Sequence, residues 1–183
     1  MQIEYKTGSL LDQKGIIAHA CNTEGVMGSG VALFLARKWP RAEEVYQQSI
    51  DDFKFQEGNA YRRKVLGTIS AVELPGDVLV VNMVTQLLCS SGSAGFFNGA
   101  PTSLDAVMGC LKELKRVWLL QSTPKYQPVI HMPLICAVRG GVSWNITKAL
   151  IADVFGDTQA VVNVWLLPNE RPKFEAEHPD WFV

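Results

Sequence analysis

The chain has 183 residues, 48% of them apolar and 19% charged, with 17 basic against 18 acidic side chains. That is enough apolar sequence for one domain with a real core and too little length for two; a disordered chain is excluded. The net charge of −1 and the lack of any Lys/Arg block argue against duplex nucleic acid as a partner, and no apolar run approaches the length of a membrane span.

In chain order, strands alternate with helices. Residues 2–6 read as a short alternating strand rather than part of a secretory leader. A connection over 9–14 leads to a second strand, 15–21, whose apolar run Gly15-Ile16-Ile17-Ala18 ends on the polar pair His19 and Asn22. Gly30–Lys38 is expected as a helix. Trp39-Pro40 punctuates it, and Pro40 suits the first turn of a second helix over 41–50, where its missing N–H costs nothing. Strands at 68–73 and 78–85 are joined by the turn residues Leu74-Pro75-Gly76-Asp77.

A Ser/Gly-rich loop over 87–101 carries Phe96-Phe97 and reads either as a lid or as a loop anchored by its aromatic pair. Thr102 or Ser103 then caps a helix running to about residue 120, with Leu104, Val107, Met108, Leu111 and Leu114 at helical spacing. A short buried strand (129–132), a glycine-containing loop (136–143), a helix (Trp144–Phe155) and an apolar β-branched strand (160–166) follow. The last stretch, 168–183, has three prolines and no periodicity. It is expected to be a surface tail packed by Phe174, Trp181 and Phe182.

The pattern predicts one α/β domain over 1–166 with a C-terminal tail over 167–183. The architecture is a three-layer αβα sandwich whose ligand site lies at the carboxyl ends of the strands. The four cysteines, Cys21, Cys89, Cys110 and Cys136, are far apart and lack any C-x-x-C or His spacing for a metal. They read as free thiols of a reducing cytoplasm, and a monomer without cofactor or metal is expected.

Two loops carry the functional signal. Gly28-Ser29-Gly30 stands between a strand and a helix, where glycine permits positive φ and close approach, and the helix N-terminus offers free N–H groups to an anion. Neither the Walker lysine pattern nor a complete G-x-G-x-x-G follows, so the choice at this loop is between a tight structural turn and a phosphate site. The second loop, Cys136-Ala137-Val138-Arg139-Gly140-Gly141-Val142, again sets glycines before a helix, with a guanidinium beside them. Two such loops at neighbouring strand ends fit the two phosphates of a diphosphate. A histidine on a buried strand is more often a satisfied core residue than a catalyst, and Asn22 reads equally as an Asx-type cap of its loop.

The ordered set Ile17-Ala18-His19-Ala20-Cys21-Asn22, Gly25-Val26-Met27-Gly28-Ser29-Gly30-Val31-Ala32, Lys38-Trp39-Pro40, Val84-Thr85-Gln86 and Met132-Pro133 with Gly140-Gly141-Val142-Ser143-Trp144 resembles the macrodomains, which bind ADP-ribose. The resemblance spans most of 1–166. Within the family it is nearest the branch of ADP-ribose-1''-phosphate phosphatases and terminal ADP-ribose glycohydrolases. It implies a mixed central sheet, adenine near the first loop and the distal ribose near Asn22. Ser9, Ile17, Asn22, Gly28, Ser29, Gly30, Val31, Gln86, Arg139, Gly140, Gly141 and Val142 would form the binding site.

Three departures matter. The family often carries an Asp after the first-strand glycine to accept from the adenine amino group; here that position is Ser9, with Asp12 as an alternative acceptor. The glycohydrolase branch has a Lys at the position of Gln86 and an Asp at that of Gly140, whereas the phosphatase branch has a His in the slot of His19. Phosphomonoester hydrolysis of ADP-ribose-1''-phosphate is therefore the expected reaction, with His19 as general acid/base and Asn22 orienting the ribose. A glycohydrolase and a non-catalytic ADP-ribose reader are the alternatives. Cys21 is expected to alternate to the opposite face of the strand and is not a candidate nucleophile.

Overall fold

A computed structural model describes residues 1–87, 101–123, 127–137 and 139–179. The expected lid, its Phe96-Phe97 pair, Cys89, and the tail aromatics Trp181 and Phe182 lie outside the described residues.

Six strands form one sheet: β1 (Gln2–Thr7), β2 (Gly15–Asn22), β3 (Ile69–Leu74), β4 (Val78–Gln86), β5 (Ile130–Met132) and β6 (Val161–Leu166). Their order is β1-β6-β5-β2-β4-β3. Every neighbouring pair is parallel except the β3–β4 hairpin, so the sheet is mixed, with β3 as an antiparallel edge. The hairpin turn places Gly76 at φ 85° and Asp77 at φ 62°. Asp is among the side chains that tolerate this left-handed region best.

The even positions of β2 and the odd positions of β4 (Ile16, Ala18, Val81, Met83) pack in a core with α4 (Leu104–Gln121) and α5 (Trp144–Phe155). Ile17, Cys21, Val78, Val80 and Val84 pack on the other face with α1 (Gly30–Lys38) and α2 (Pro40–Glu57). The expected three-layer arrangement therefore forms because the central strands are apolar on both faces, as parallel strands covered on two sides must be. Ser103, not Thr102, caps α4, accepting from Ala106 N–H at 3.2 Å.

Three elements differ from the sequence expectation. α2 runs two turns past residue 50, because the polar stretch beyond Ile50 continues as an exposed helix held by the Lys54–Asp51 pair at 2.8 Å. A short α3 (Tyr61–Val65) follows. The tail is not aperiodic: α6 (Arg171–Glu177) forms with Pro172 in its first turn and an Arg171–Glu175 pair at 3.1 Å across one turn. No helix among the described residues is long and apolar enough to cross a membrane.

Polar groups tie the layers as well. His19 Nε2 and Asn82 Oδ1 are 2.7 Å apart between β2 and β4, and Asn82 Nδ2 donates to Ala42 O of α2 (3.2 Å) and Ser70 Oγ of β3 (3.1 Å). Because both amide hydrogens of Asn82 are used, its oxygen faces the ring, and His19 Nε2 is the donor. On β5, His131 accepts from Trp165 Nε1–H at Nδ1 (3.0 Å) and donates from Nε2 to Lys14 O (3.0 Å). Burial lowers the pKa of both imidazoles, that of His19 from 6.5 to about 4.

The unfolded chain binds a proton near 6.5 where folded His19 refuses one until about 4. The His19 contribution to stability is thus fully present above about pH 6.5 and is lost as pH drops toward 4, by about 3 kcal/mol. Urea denaturation at pH 7 and pH 4.5 should show the loss, and a His19→Gln variant should show a distinctly shallower dependence. An unchanged slope in that variant would assign the acid sensitivity elsewhere.

Candidate functional site

The carboxyl ends of five strands open on one cleft of about 650 Å³, within the range of small-molecule sites. Its wall includes Ser9 after β1, Asn22 ending β2, Gln86 ending β4, Pro133 after β5 and Leu166 ending β6. Open α/β sheets offer ligands this edge.

Of the residues expected to bind, Ser9, Asn22, Ser29, Gly30, Val31, Gln86, Arg139 and Gly140 share this wall with His19. Ile17, Gly28, Gly141 and Val142 do not line it. Ile17 is fully buried in the α1/α2 core. Gly28 is exposed beside Val26, which supplies the wall in its place. Gly141 and Val142 shape the second loop from behind: Gly141 sits at φ 71° and donates to Ala137 O (3.1 Å), and Val142 donates to Cys136 O (3.1 Å).

The first loop turns on Asn22. Its Oδ1 accepts from Glu24 N–H (2.8 Å), Val26 N–H (3.4 Å) and the Tyr46 hydroxyl (3.1 Å), while Nδ2 donates to Val26 O (2.8 Å). Tyr46 also donates to Asn22 O from a fully buried position on α2. Asn22 therefore caps its own loop, the alternative left open by its sequence. Nothing in the spacing of α2 marks Tyr46 as a site residue; a tyrosine at a core position of an otherwise polar helix is the one available signal.

Ser29 is the N-cap of α1 in extended geometry and makes no side-chain cap bond. The first-turn N–H groups thus receive no capping acceptor from it. Gly30 follows at φ 60°, and a Cβ there would lie 3.9 Å from Arg139 Nε. The guanidinium of the second loop hence stands at the positive end of α1. Two positive features converge on one point, a placement that an anion between them relieves.

Gly140 is the tightest position in the site. A Cβ there would collide with Cys136 O and stand 2.5 Å from Thr102 Oγ1. Burial disfavours the thiolate form of both cleft cysteines, pushing Cys136 up to about 11 and Cys21 well above its ordinary value. Cys21 does not, however, alternate away from the histidine. Residues two apart share a strand face, and Cys21 Sγ lies 3.7 Å from both ring nitrogens of His19. A register shift between Cys21 and Asn22 sets the asparagine apart.

Sequence reasoning missed the tail's share. Leu167, Glu170 and Phe174 line the cleft, so its wall extends past residue 166. Ser9 Oγ accepts from Leu11 N–H (3.2 Å), and Asp12, the alternative acceptor, pairs with Lys38 at 3.2 Å and is not part of the wall.

A mixed αβα sheet with two glycine-bearing loops at its parallel strand ends is an α/β domain whose cleft has the size and place of a small-molecule site. No family model matches the chain. Over 172 residues it is 34% identical to the ADP-ribose 1''-phosphate phosphatase of Candida glabrata, spanning 81% of this chain and 90% of that protein. It matches the macrodomain protein of Streptomyces coelicolor with a TM-score of 0.66 at 26% identity, covering 90% of this chain and 99% of that one. A Bacteroides thetaiotaomicron protein of unknown function matches with a TM-score of 0.73 at 28% identity, covering 90% and 98%. The chain belongs to the macrodomain family, in the branch that includes the ADP-ribose 1''-phosphate phosphatases.

Two variants probe this scaffold. Tyr46→Phe removes the buried hydroxyl that donates to Asn22 O, while Asn22 Oδ1 keeps the Glu24 and Val26 N–H groups, and should cost about 1–2 kcal/mol, read as a lower urea midpoint at unchanged m. Gly140→Ala should disturb the second loop by more than that, whereas Gly28→Ala, whose Cβ would meet only Val26 Cγ1 at 3.5 Å, should be tolerated. Equal stability of the two glycine variants would overturn the packing argument.

Proposed function

We propose that this macrodomain binds ADP-ribose and hydrolyses the terminal phosphate of ADP-ribose-1''-phosphate. The observation that carries the binding half is the meeting of Arg139 with the N-terminus of α1 at Gly30. A diphosphate between them accepts first-turn N–H bonds and a charge-assisted bond from the guanidinium. The base then lies toward Leu10, Trp165 and Phe174, and the distal ribose toward Asn22 and Gln86. The named activity of the Candida glabrata relative supports the hydrolytic half.

The glycohydrolase alternative loses ground at Gly140. Its carboxylate would need a Cβ where Cys136 O and Thr102 Oγ1 already stand, and Gln86 offers an amide rather than an amine. A lysine–ribose adduct has no counterpart in that side chain.

His19 enters this reading as a neutral imidazole. With Nε2–H given to Asn82, Nδ1 is the ring position that can accept a proton, and burial makes it a weak base. The same contacts favour a second reading, binding without turnover. His19 is 1% exposed and hydrogen-bonded to Asn82, and Asn22 Oδ1 already takes three hydrogen bonds from the protein.

Calorimetry with ADP-ribose, beside phosphate release from ADP-ribose-1''-phosphate, separates the readings. Arg139→Ala should weaken ADP-ribose binding about tenfold or more, because a charge-assisted bond is lost. If His19 accepts the proton, His19→Ala should lower kcat about 10²–10⁴-fold with little change in affinity. The low-pH limb of kcat/KM should then fall near 4 rather than near 6.5. A joint fall in stability and affinity would make His19 scaffold. Binding with no phosphate release by the unaltered protein would establish the reader.

A further inference from the structure

Resting on the reading of the cleft as an ADP-ribose site, we propose that Glu170 is the specificity-determining residue that accepts the exocyclic amine of the base. An acceptor-only group at this place selects a base edge that donates.

The acceptors near the end of β1 are each already engaged within the protein. Ser9 Oγ takes Leu11 N–H at 3.2 Å, capping the short turn Leu10–Asp12, and Ser9 O takes Gln13 Nε2 at 3.0 Å. Lys38 bonds both Leu11 O (2.6 Å) and the Asp12 carboxylate (3.2 Å), holding that acid toward the end of α1. Among the described wall residues, Glu170 is then the one carboxylate and Arg139 the one cation.

Glu170 sits where the chain leaves β6 and turns into α6, and two contacts fix it there. Its own N–H donates to Leu167 O (2.9 Å), and the neighbouring Arg171 donates to Thr7 Oγ1 at the end of β1 (2.7 Å). Arg171 also pairs with Glu175 at 3.1 Å. Among the described residues the Glu170 carboxylate takes part in no ion pair and accepts one long hydrogen bond, 3.4 Å from Leu167 N–H to Oε2. It borders the apolar part of the wall that Leu10, Trp165 and Phe174 form. Gly8 keeps that part open, since a Cβ on it would stand 3.3 Å from Trp165 Cζ3.

An apolar slot bordered by a carboxylate, with a cation at the other glycine loop, fits a ligand with an amine-bearing flat base and a diphosphate. Adenine presents its 6-amino group to Glu170. Hypoxanthine presents an oxygen at that place, which a carboxylate repels and a glutamine amide accepts as partner.

The test is calorimetric titration of the full chain with ADP-ribose and with its hypoxanthine analogue. Wild type should prefer ADP-ribose about tenfold, as expected for one charge-assisted hydrogen bond at a partly solvated site. Glu170→Ala should lose most of that preference, and Glu170→Gln should gain affinity for the hypoxanthine analogue. Because the Glu170 side chain makes no cap bond to α6, both variants should keep the wild-type melting temperature. Both variants retaining the wild-type affinity and preference would overturn the assignment while leaving ADP-ribose binding intact. Failure of wild type to bind ADP-ribose would overturn the assignment together with the reading beneath it.

Discussion

The cleft depends on how α2 is held against the sheet, and that attachment is polar at two points. Asn82 reaches from β4 to Ala42 O at the start of α2, with its oxygen satisfied by His19 at 2.7 Å. One turn further along, Tyr46 hydrogen-bonds the backbone and side chain of Asn22. Apolar packing would tolerate sliding of α2 along the sheet. Buried donors and acceptors do not, because each displaced group is left unpaired at a cost of about 1–3 kcal/mol, a substantial fraction of a domain's margin of stability. The first ligand loop thus inherits its position from a helix that scarcely touches the cleft.

This inward commitment decides which groups remain for a ligand. His19 and Asn22 stand out in the sequence as the polar residues at a strand end, yet both spend hydrogen bonds on the scaffold. The groups that the scaffold leaves available are the N–H groups of α1 beyond an extended Ser29, the Arg139 guanidinium beside Gly30, and the Glu170 carboxylate. Polar residues on the sheet build the frame, and charges carried on the surrounding loops face the solvent-filled space.

The division also explains what was legible in the sequence. β2 was readable because a short, β-branched apolar run bounded by Gly15 and a glycine-rich loop fits a strand covered on both faces, and both glycine loops were readable from their place between strand and helix. The parity of Cys21 was equally readable, since positions 19 and 21 share a face, and it was misassigned. Tyr46 and Glu170 were not legible. Each acts across a sequence separation that periodicity does not encode: Tyr46 lies 24 residues from Asn22, and Glu170 joins the wall through the register of β6 beside β1. α6 escaped notice because two turns are too short for a repeating apolar face to declare itself.

The second loop shows the scaffold limiting chemistry through backbone rather than side chains. Cys136 occupies a left-handed conformation at φ 61°, a costly geometry for a residue with a side chain. Its carbonyl is thereby aimed back across the loop, where Val142 N–H donates to it at 3.1 Å and where a side chain on residue 140 would otherwise begin. A carboxylate cannot be introduced at that position by changing one residue. The Cys136 peptide would have to turn, Val142 would lose its partner, and Thr102 would have to give way. The absence of an acid at residue 140 is therefore a property of the loop's path, and any reaction in this cleft has to proceed without one there.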